Sequence, residues 1–229
     1  RPVGYTREGL VTVPLITSDI HDHFNAVRDE LMHTGAIVAI TEAGSATTGI
    51  NGSTSGLNWR GKDPNLSIDF AFGSASYDYG KTIGWKIKEG RDFSRDFATD
   101  SSALILNEAA VHFMGLKKPI GEVVTWWDQP LTVIGVVHDM MMQSPYDEPK
   151  PMVFSLSNDP GNVAIMRINP SISAKDALSK IAPVFRKFNP EQPFDYKFAD
   201  EEYAKKFDNE ERVGKLAGFF AMLAVVISC

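Results

Sequence analysis

The sequence predicts an α+β protein of two lobes, and three observations carry that expectation. Near each end of the chain, a β-rich run, an amphipathic helical run and a second β-rich run follow one another with short connections. Between them, residues 46 to about 150 are mixed and mostly β in character, opening on a stretch dominated by Gly, Ser, Thr and Asn. The chain then closes on an apolar run that carries no charge after Lys215.

The first βαβ unit spans residues 9 to 43. "LVTVPL" is rich in β-branched residues and reads as a strand. Thr17, Ser18 and Asp19 offer helix caps, and Ile20, Phe24, Val27 and Leu31 then recur at helical spacing. Gly35 suits the left-handed position that ends a helix, and "AIVAITEA" follows as the second strand. The other unit spans residues 162 to 200: a strand at 163 to 168, a cap at Ser171 or Ser173, a helix to about Lys187 and a strand at 194 to 199. Pro183 inside that helix should kink or split it. Right-handed crossovers of this kind can interleave in one split-βαβ sheet with helices on one face. The expected boundaries are therefore 1–45 and 151–200 for one subdomain, with 46–150 inserted into it.

Within the insertion, "GSATTGINGSTSGLNWRGKDPN" reads as a long flexible loop. "LSIDFAFGS" follows as a strand, "SYDYGKTIG" as a short helix, and "SALILN" as a strand leading into the helix "EAAVHFMGL", with Asn107 or Glu108 near its start. "GEVVTWWDQPLTVIGVVHDM" has the form of a hairpin whose turn carries Asp128, Gln129 and Pro130. Trp126 and Trp127 are adjacent, so in a strand one of them would face outward, as a contact residue or under a covering loop.

Residues 201–229 form the third expected unit. Asp200 is a good N-cap, Glu201 and Glu202 suit the first turn, and no proline interrupts the chain to Cys229. A helix of the last 14 residues would be roughly 21 Å long, against a bilayer core of about 30 Å. The run reads as most of a transmembrane helix. A buried C-terminal helix is the alternative, though it would normally keep a polar outer face, and "LAGFFAMLAVVISC" has only Ser228. Because Arg1 begins directly in polar sequence, the chain reads as a segment of a longer one.

Composition excludes several classes. The chain has 43% hydrophobic and 23% charged residues, an ordinary globular balance rather than a disordered one. A net charge of -6 without a clustered basic face argues against nucleic acid. Cys229 is the single cysteine, which excludes a disulfide framework.

The motifs that suggest chemistry do not assemble. "GLNWRGKD" (56–63) nearly spells a phosphate-binding loop, but Asp63 stands where the hydroxyl should be and no strand precedes it. His21 and His23 point to different faces of a helix, and His33, His112 and His138 are scattered without paired ligands. Asp92, Asp96, Asp100 and Glu108 are interleaved with Arg91 and Arg95, as in solvated ion pairs. No G-x-S-x-G elbow occurs, and the "NGS" and "NLS" triplets are too common to argue from. No catalytic, cofactor-binding or metal-binding residue is therefore assigned, and no cofactor is expected.

Three blocks in order, "LILNEAAVHFMGLKKPIGE", "LTVIGVVHDMMMQSPYDEPKPMVF" and "FADEEYAKKFDNEERVGKLAGFFAMLAVVISC", resemble the extracytoplasmic core domain of MacB/FtsX-type ABC transporter permeases, in their Bacteroidetes-like form. The resemblance covers essentially the whole chain and implies a porter-like subdomain made from both chain ends, an inserted subdomain and a stalk helix that begins the second transmembrane segment. It implies a non-catalytic domain on the periplasmic side of the bacterial inner membrane. Its implied partners are an ABC ATPase that hydrolyses ATP in the cytoplasm, a second permease copy, and in some members a periplasmic adaptor or an outer-membrane channel. The implied work is mechanical export. The competing expectation is a membrane-anchored binding or scaffold module with no ATPase partner; a hydrolase is disfavoured, since no nucleophile, base or metal set assembles.

Overall fold

The computed structural model describes residues 4–49, 52–142, 148–157 and 161–205, together with Val213 and Phe220. The β-branched run near the start forms β1 (Leu10–Pro14), and its neighbours come from far along the chain. It pairs antiparallel with β11 (Val163–Ile168), Leu10 opposite Arg167, and with β12 (Lys197–Phe198) on its other side. Strand β2 (Ile37–Ala43) lies against the far side of β11, giving the order β12-β1-β11-β2. Two βαβ units thus interleave, each leaving room for one strand of the other. The final strand is two residues long, shorter than the 194–199 expected from the sequence.

Helices α1 (Ser18–Asp22), α2 (Phe24–His33) and α5 (Ala174–Phe188) accompany this sheet. Val27, Leu31, Ala177, Ile181 and Phe185 pack with Val11, Val13 and Met166 in one core. The expected single helix from residue 18 is interrupted at His23, whose φ of -109° and ψ of 10° leave the helical region. Gly35 follows α2 with φ +67°. Ser173 caps α5 by accepting from the Asp176 N–H. Pro183 does not split α5, which runs unbroken for 15 residues; its ring side is exposed, so the loss is confined to one backbone bond on the outer face.

The second sheet has eight strands: β3 (Ser53–Thr54), β4 (Leu57–Trp59), β5 (Phe70–Ala75), β6 (Ile87–Gly90), β7 (Ala103–Asn107), β8 (Val123–Trp126), β9 (Gln129–Val137) and β10 (Met152–Leu156). Its order is β3-β5-β10-β7-β9-β8-β4, with β6 sharing the long strand β9 with β8. The Gly/Ser-rich stretch read as loop supplies β3 and β4, and residues 152–156, grouped from sequence with the chain ends, hydrogen-bond between β5 and β7 in this sheet. Helix α4 (Glu108–Met114) is capped by Asn107, whose side chain accepts from Ala110 N–H and also from Met152 N–H at 2.8 Å.

The two sheets share a core. Adjacent residues of a strand face opposite ways, so while Val11 and Met166 look to α2 and α5, Leu10 and Ile165 look to the other side. There they meet Ile105, Phe154 and the short helix α3 (Tyr79–Ile83). Trp85 and Tyr79 pack edge-on at 5.5 Å, and Trp85 and Phe154 at 5.0 Å.

The β8–β9 hairpin turns at Trp127 and Asp128, not at the expected Asp128, Gln129 and Pro130, the last two of which lie in β9. Both turn residues have positive φ, 47° and 66°, the backbone of a two-residue type I′ turn. Asp tolerates that region, but a bulky side chain there is an outlier at a cost of about 1–3 kcal/mol. Trp127 lies over Gly56, where a Cβ would come within 2.8 Å of its ring.

The described residues contain no helix long and apolar enough to cross a membrane. The expected stalk and apolar tail lie outside the described residues, apart from the helix that begins at 199 and from Val213 and Phe220. Replacing Pro183 by Ala restores an N–H to the exposed face of α5. It is expected to raise stability by about 1–2 kcal/mol, a gain of several degrees in Tm by calorimetry.

Candidate functional site

The segment before β1 is held by contacts from every side. The buried Tyr5 hydroxyl donates to the Thr47 carbonyl at 3.1 Å, and Thr6 N–H donates to the Ile83 carbonyl at 3.1 Å. The Arg7 guanidinium sits 3.9 Å from the centroid of Tyr203, in the helix that starts at 199. The segment entering β1 therefore meets the helix that begins at 199 directly.

Arg167 closes the arrangement. It projects from β11 and donates Nε–H to Thr82 O (2.8 Å), Nη1–H to Glu8 O (2.9 Å) and Nη2–H to Thr6 O (2.9 Å). One side chain thus joins the four-stranded sheet, the end of α3 and the entering chain. Burial pulls its pKa below the ordinary arginine range, yet a guanidinium remains charged. Gly84 ends α3 at φ +68°, and a Cβ there would lie 3.0 Å from Thr6 Oγ1.

Beside this junction lies a cleft of about 890 Å³ lined by Thr6, Arg7, Glu108, His112, His138 and Asp139, among others. Glu108 pairs with the Lys88 ammonium, approaches His138 Nδ1 at 3.2 Å and accepts from Asp139 N–H at 3.2 Å. The Lys88 hydrogen bond is the first cause that holds its carboxyl below the usual range. Burial raises that of Asp139, whose Oδ1 accepts from Ala109 N–H at 2.8 Å. Gly4 presses on this corner, where a Cβ would sit 2.2 Å from Asp139 O.

The other motifs singled out in the sequence have local roles. In 56–63, Lys62 turns back to the Leu57 carbonyl at 2.7 Å, and Asp63 accepts from Asn65 N–H. His21 meets Glu42 at 3.0 Å, while His23 and His33 bond to backbone carbonyls of Asp19 and Asp29. Among the described residues no group of His, Cys, Asp and Glu is arranged to hold a metal. Asp92 accepts from Trp85 Nε1–H at 2.9 Å, and Asp96 bonds to Ser94.

Arg91–Asp100 departs from the solvated pair expected. The Asp100 side chain is fully buried and takes both arms of the guanidinium, at 2.6 and 2.7 Å, together with Ser94 N–H. Burial alone would raise its carboxyl, but the Arg91 fork and the Ser94 N–H outweigh that and hold it below the ordinary range.

The junction residues Tyr5, Arg7, Arg167 and Tyr203 carried no sequence motif. The available signal was a lone cation inside the apolar strand "NVAIMRI", where a charge with no partner would be unfavourable.

Arg167→Ala removes three charged hydrogen bonds and is expected to cost about 2–3 kcal/mol. The amides of Thr6 and Thr82 should lose protection in hydrogen exchange, while those of β9 should not. Arg91→Ala strands a buried carboxylate and is expected to destabilise the fold by about 3 kcal/mol. Because the folded pKa of Asp100 is depressed, this contribution is full above the unfolded value of about 4 and disappears as the pH falls through the folded value. The difference between wild type and Arg91→Ala in denaturant unfolding should therefore shrink toward acid pH.

Comparisons with known proteins place the chain. A family model for the MacB-like periplasmic core domain matches residues 12–184. Among solved structures, the periplasmic region of MacB from Actinobacillus actinomycetemcomitans superposes with a TM-score of 0.60 at 16% identity, over 90% of this chain and 95% of that one. The extracellular domain of YknZ, a noncanonic ABC-type transporter from Gram-positive bacteria, gives 0.54 at 17% identity, over 82% and 98%. A domain assigned to a permease protein from Porphyromonas gingivalis gives 0.55 at 14% identity, over 84% and 90%. No curated protein sequence matches significantly. At these identities the structural likeness speaks for the fold, and the family match over most of the chain speaks for descent: the chain belongs to the family of MacB-like periplasmic core domains.

Proposed function

We propose that this chain is the periplasmic part of an ABC transporter permease that couples ATP hydrolysis in the cytoplasm to extrusion of a substrate, by mechanical transmission across the membrane. Membership of the MacB-like family supports the location and the transporter system. The observation that carries the mechanical reading is the Arg7–Tyr203 contact, because it joins the entering chain to the helix leading out. In a full-length permease both segments would come from the membrane, so movement of the transmembrane helices would reach this junction first. From there Arg167 would pass it to β11 and α3 together.

In this reading residues 1–45 and 151–200 act as a porter-like unit, 46–150 as the inserted unit and 201–229 as a stalk entering the inner membrane. A rigid stalk transmits displacement that a flexible one would absorb. The working partners are an ATPase subunit or fused domain and a second permease copy, with an adaptor or outer-membrane channel optional. The domain itself performs no chemistry.

Two measurements test this. The full-length gene product, solubilised from its native membrane in mild detergent, should bring down a stoichiometric ATPase and hydrolyse ATP; purification without any nucleotide-hydrolysing partner would favour an anchored binding module instead. Inserting Gly-Gly beside Asn209 should abolish transport-coupled ATPase activity while leaving the circular dichroism spectrum and Tm unchanged. Retained coupling would remove the stalk as transmitter.

A further inference from the structure

Glu108 and Asp139 hold each other's backbone by reciprocal bonds. Glu108 Oε2 accepts from Asp139 N–H at 3.2 Å, and Asp139 Oδ1 accepts from Ala109 N–H at 2.8 Å. The start of α4 is thereby clasped to the residues that follow β9. Lys88 of β6 pairs with Glu108 Oε1, and His138 Nδ1 lies 3.2 Å from Oε2. One corner thus joins three elements through four charged or titratable side chains.

The two carboxyls differ in their hold on a proton. Lys88 is the first cause that keeps Glu108 below the usual range. Burial is the first cause that lifts Asp139, and repulsion from Glu108 adds to it. As the pH falls from neutral, Asp139 therefore takes a proton before Glu108 does. That proton costs no hydrogen bond, because a neutral carboxyl keeps an oxygen for Ala109 N–H, and it ends the repulsion. Histidine side chains change charge between about pH 5 and 8. Once protonated, His138 is a charged donor to Glu108 in place of a neutral one. The other charged or titratable groups around the corner are Lys86, Glu89 of β6, His112 of α4, Lys117, Glu148, and Arg7 and Glu8 before β1. Among the described residues none of them bonds to Glu108 or Asp139, so Lys88 and His138 set the balance.

We propose that the Lys88–Glu108–His138–Asp139 corner is a proton-tightened clasp, which mild acid fastens and only stronger acid, by discharging Glu108, releases. Asp139, raised on closing, favours the closed form as the pH falls toward the ordinary aspartate value of about 3.9. Glu108, lowered on closing, favours it above the ordinary glutamate value and withdraws that support as the pH falls through its lowered one. The clasp walls the cleft of about 890 Å³, and Gly4 bears on the Asp139 carbonyl. Fastening it fixes that wall and the seat of the chain entering β1 together. The clasp needs no transport role, and its failure would leave the ATPase test untouched.

The test follows amide hydrogen exchange of the 229-residue chain in mild detergent, from pH 7.5 to 5, corrected for the intrinsic pH dependence of exchange. Protection of the Ala109 and Asp139 amides should rise roughly twofold to fivefold, the scale of a half-exposed ion pair, while β11 amides stay level. His138→Gln and Asp139→Asn should each shrink the rise, and the double variant should abolish it. Carboxyl carbon resonances should show Asp139 protonating before Glu108. The proposal is overturned if wild-type protection is flat or falls, if β11 rises equally, or if the double variant keeps the rise, as a His112 origin would produce. Should the double variant fail to fold, the order of protonation decides, and Glu108 titrating first overturns the clasp.

Discussion

The guanidinium of Arg167 is the constraint on which the arrangement of this domain turns. Three of its five N–H groups donate to backbone carbonyls of Thr6, Glu8 and Thr82, with no carboxylate among these acceptors. A charged group taken partly out of water needs acceptors for the donors it buries, and three carbonyls serve one side chain only when held in one relative geometry. The strap before β1, the end of α3 and strand β11 therefore cannot shift independently. That is a stricter coupling than apolar packing supplies, because a hydrophobic contact tolerates sliding and a set of three aimed hydrogen bonds does not.

The coupling reaches further because the four-stranded sheet is covered on both faces. One face carries α2 and α5; the other presents Leu10, Ala43 and Ile165 to α3 and to strands of the larger sheet. A sheet that loses apolar area on either side when it moves behaves as a plate, and α3 lies between the plates. Asp100 adds a second rigid point, since its buried carboxylate ties Arg91 and Ser94 at the end of β6. Arg167, within β11, and the Arg91–Asp100 pair, just beyond β6, both tie one element to another.

Periodicity made much of this legible in the sequence. The β-branched content of "LVTVPL" reports a strand, the helical spacing of Ile20, Val27 and Leu31 reports burial on one side of a helix, and the Ser173 and Asn107 caps report backbone geometry that only a few side chains can satisfy. What sequence could not show was pairing between distant segments. Residues 152–156 read equally well for either sheet, because a short buried strand has no period to mark its partner. Gln129 and Pro130 looked like turn residues by propensity, yet the turn went to Trp127, a choice local chemistry argues against. The junction was hidden for a related reason: Arg167 bonds to carbonyls, and every residue type has a carbonyl.

The strand order also governs how the chain can be made. β1 and β2 share no hydrogen bonds; each needs β11, more than a hundred residues later in synthesis, before it is paired at all. Until residues 163–168 leave the ribosome, the first forty residues hold two unpaired, β-branched edges and no sheet. Contacts this remote slow folding and expose sticky edges in the interval. The same strand order that locks distant segments together in the finished domain leaves a product truncated before β11 with β1 and β2 unpaired and no four-stranded sheet to close.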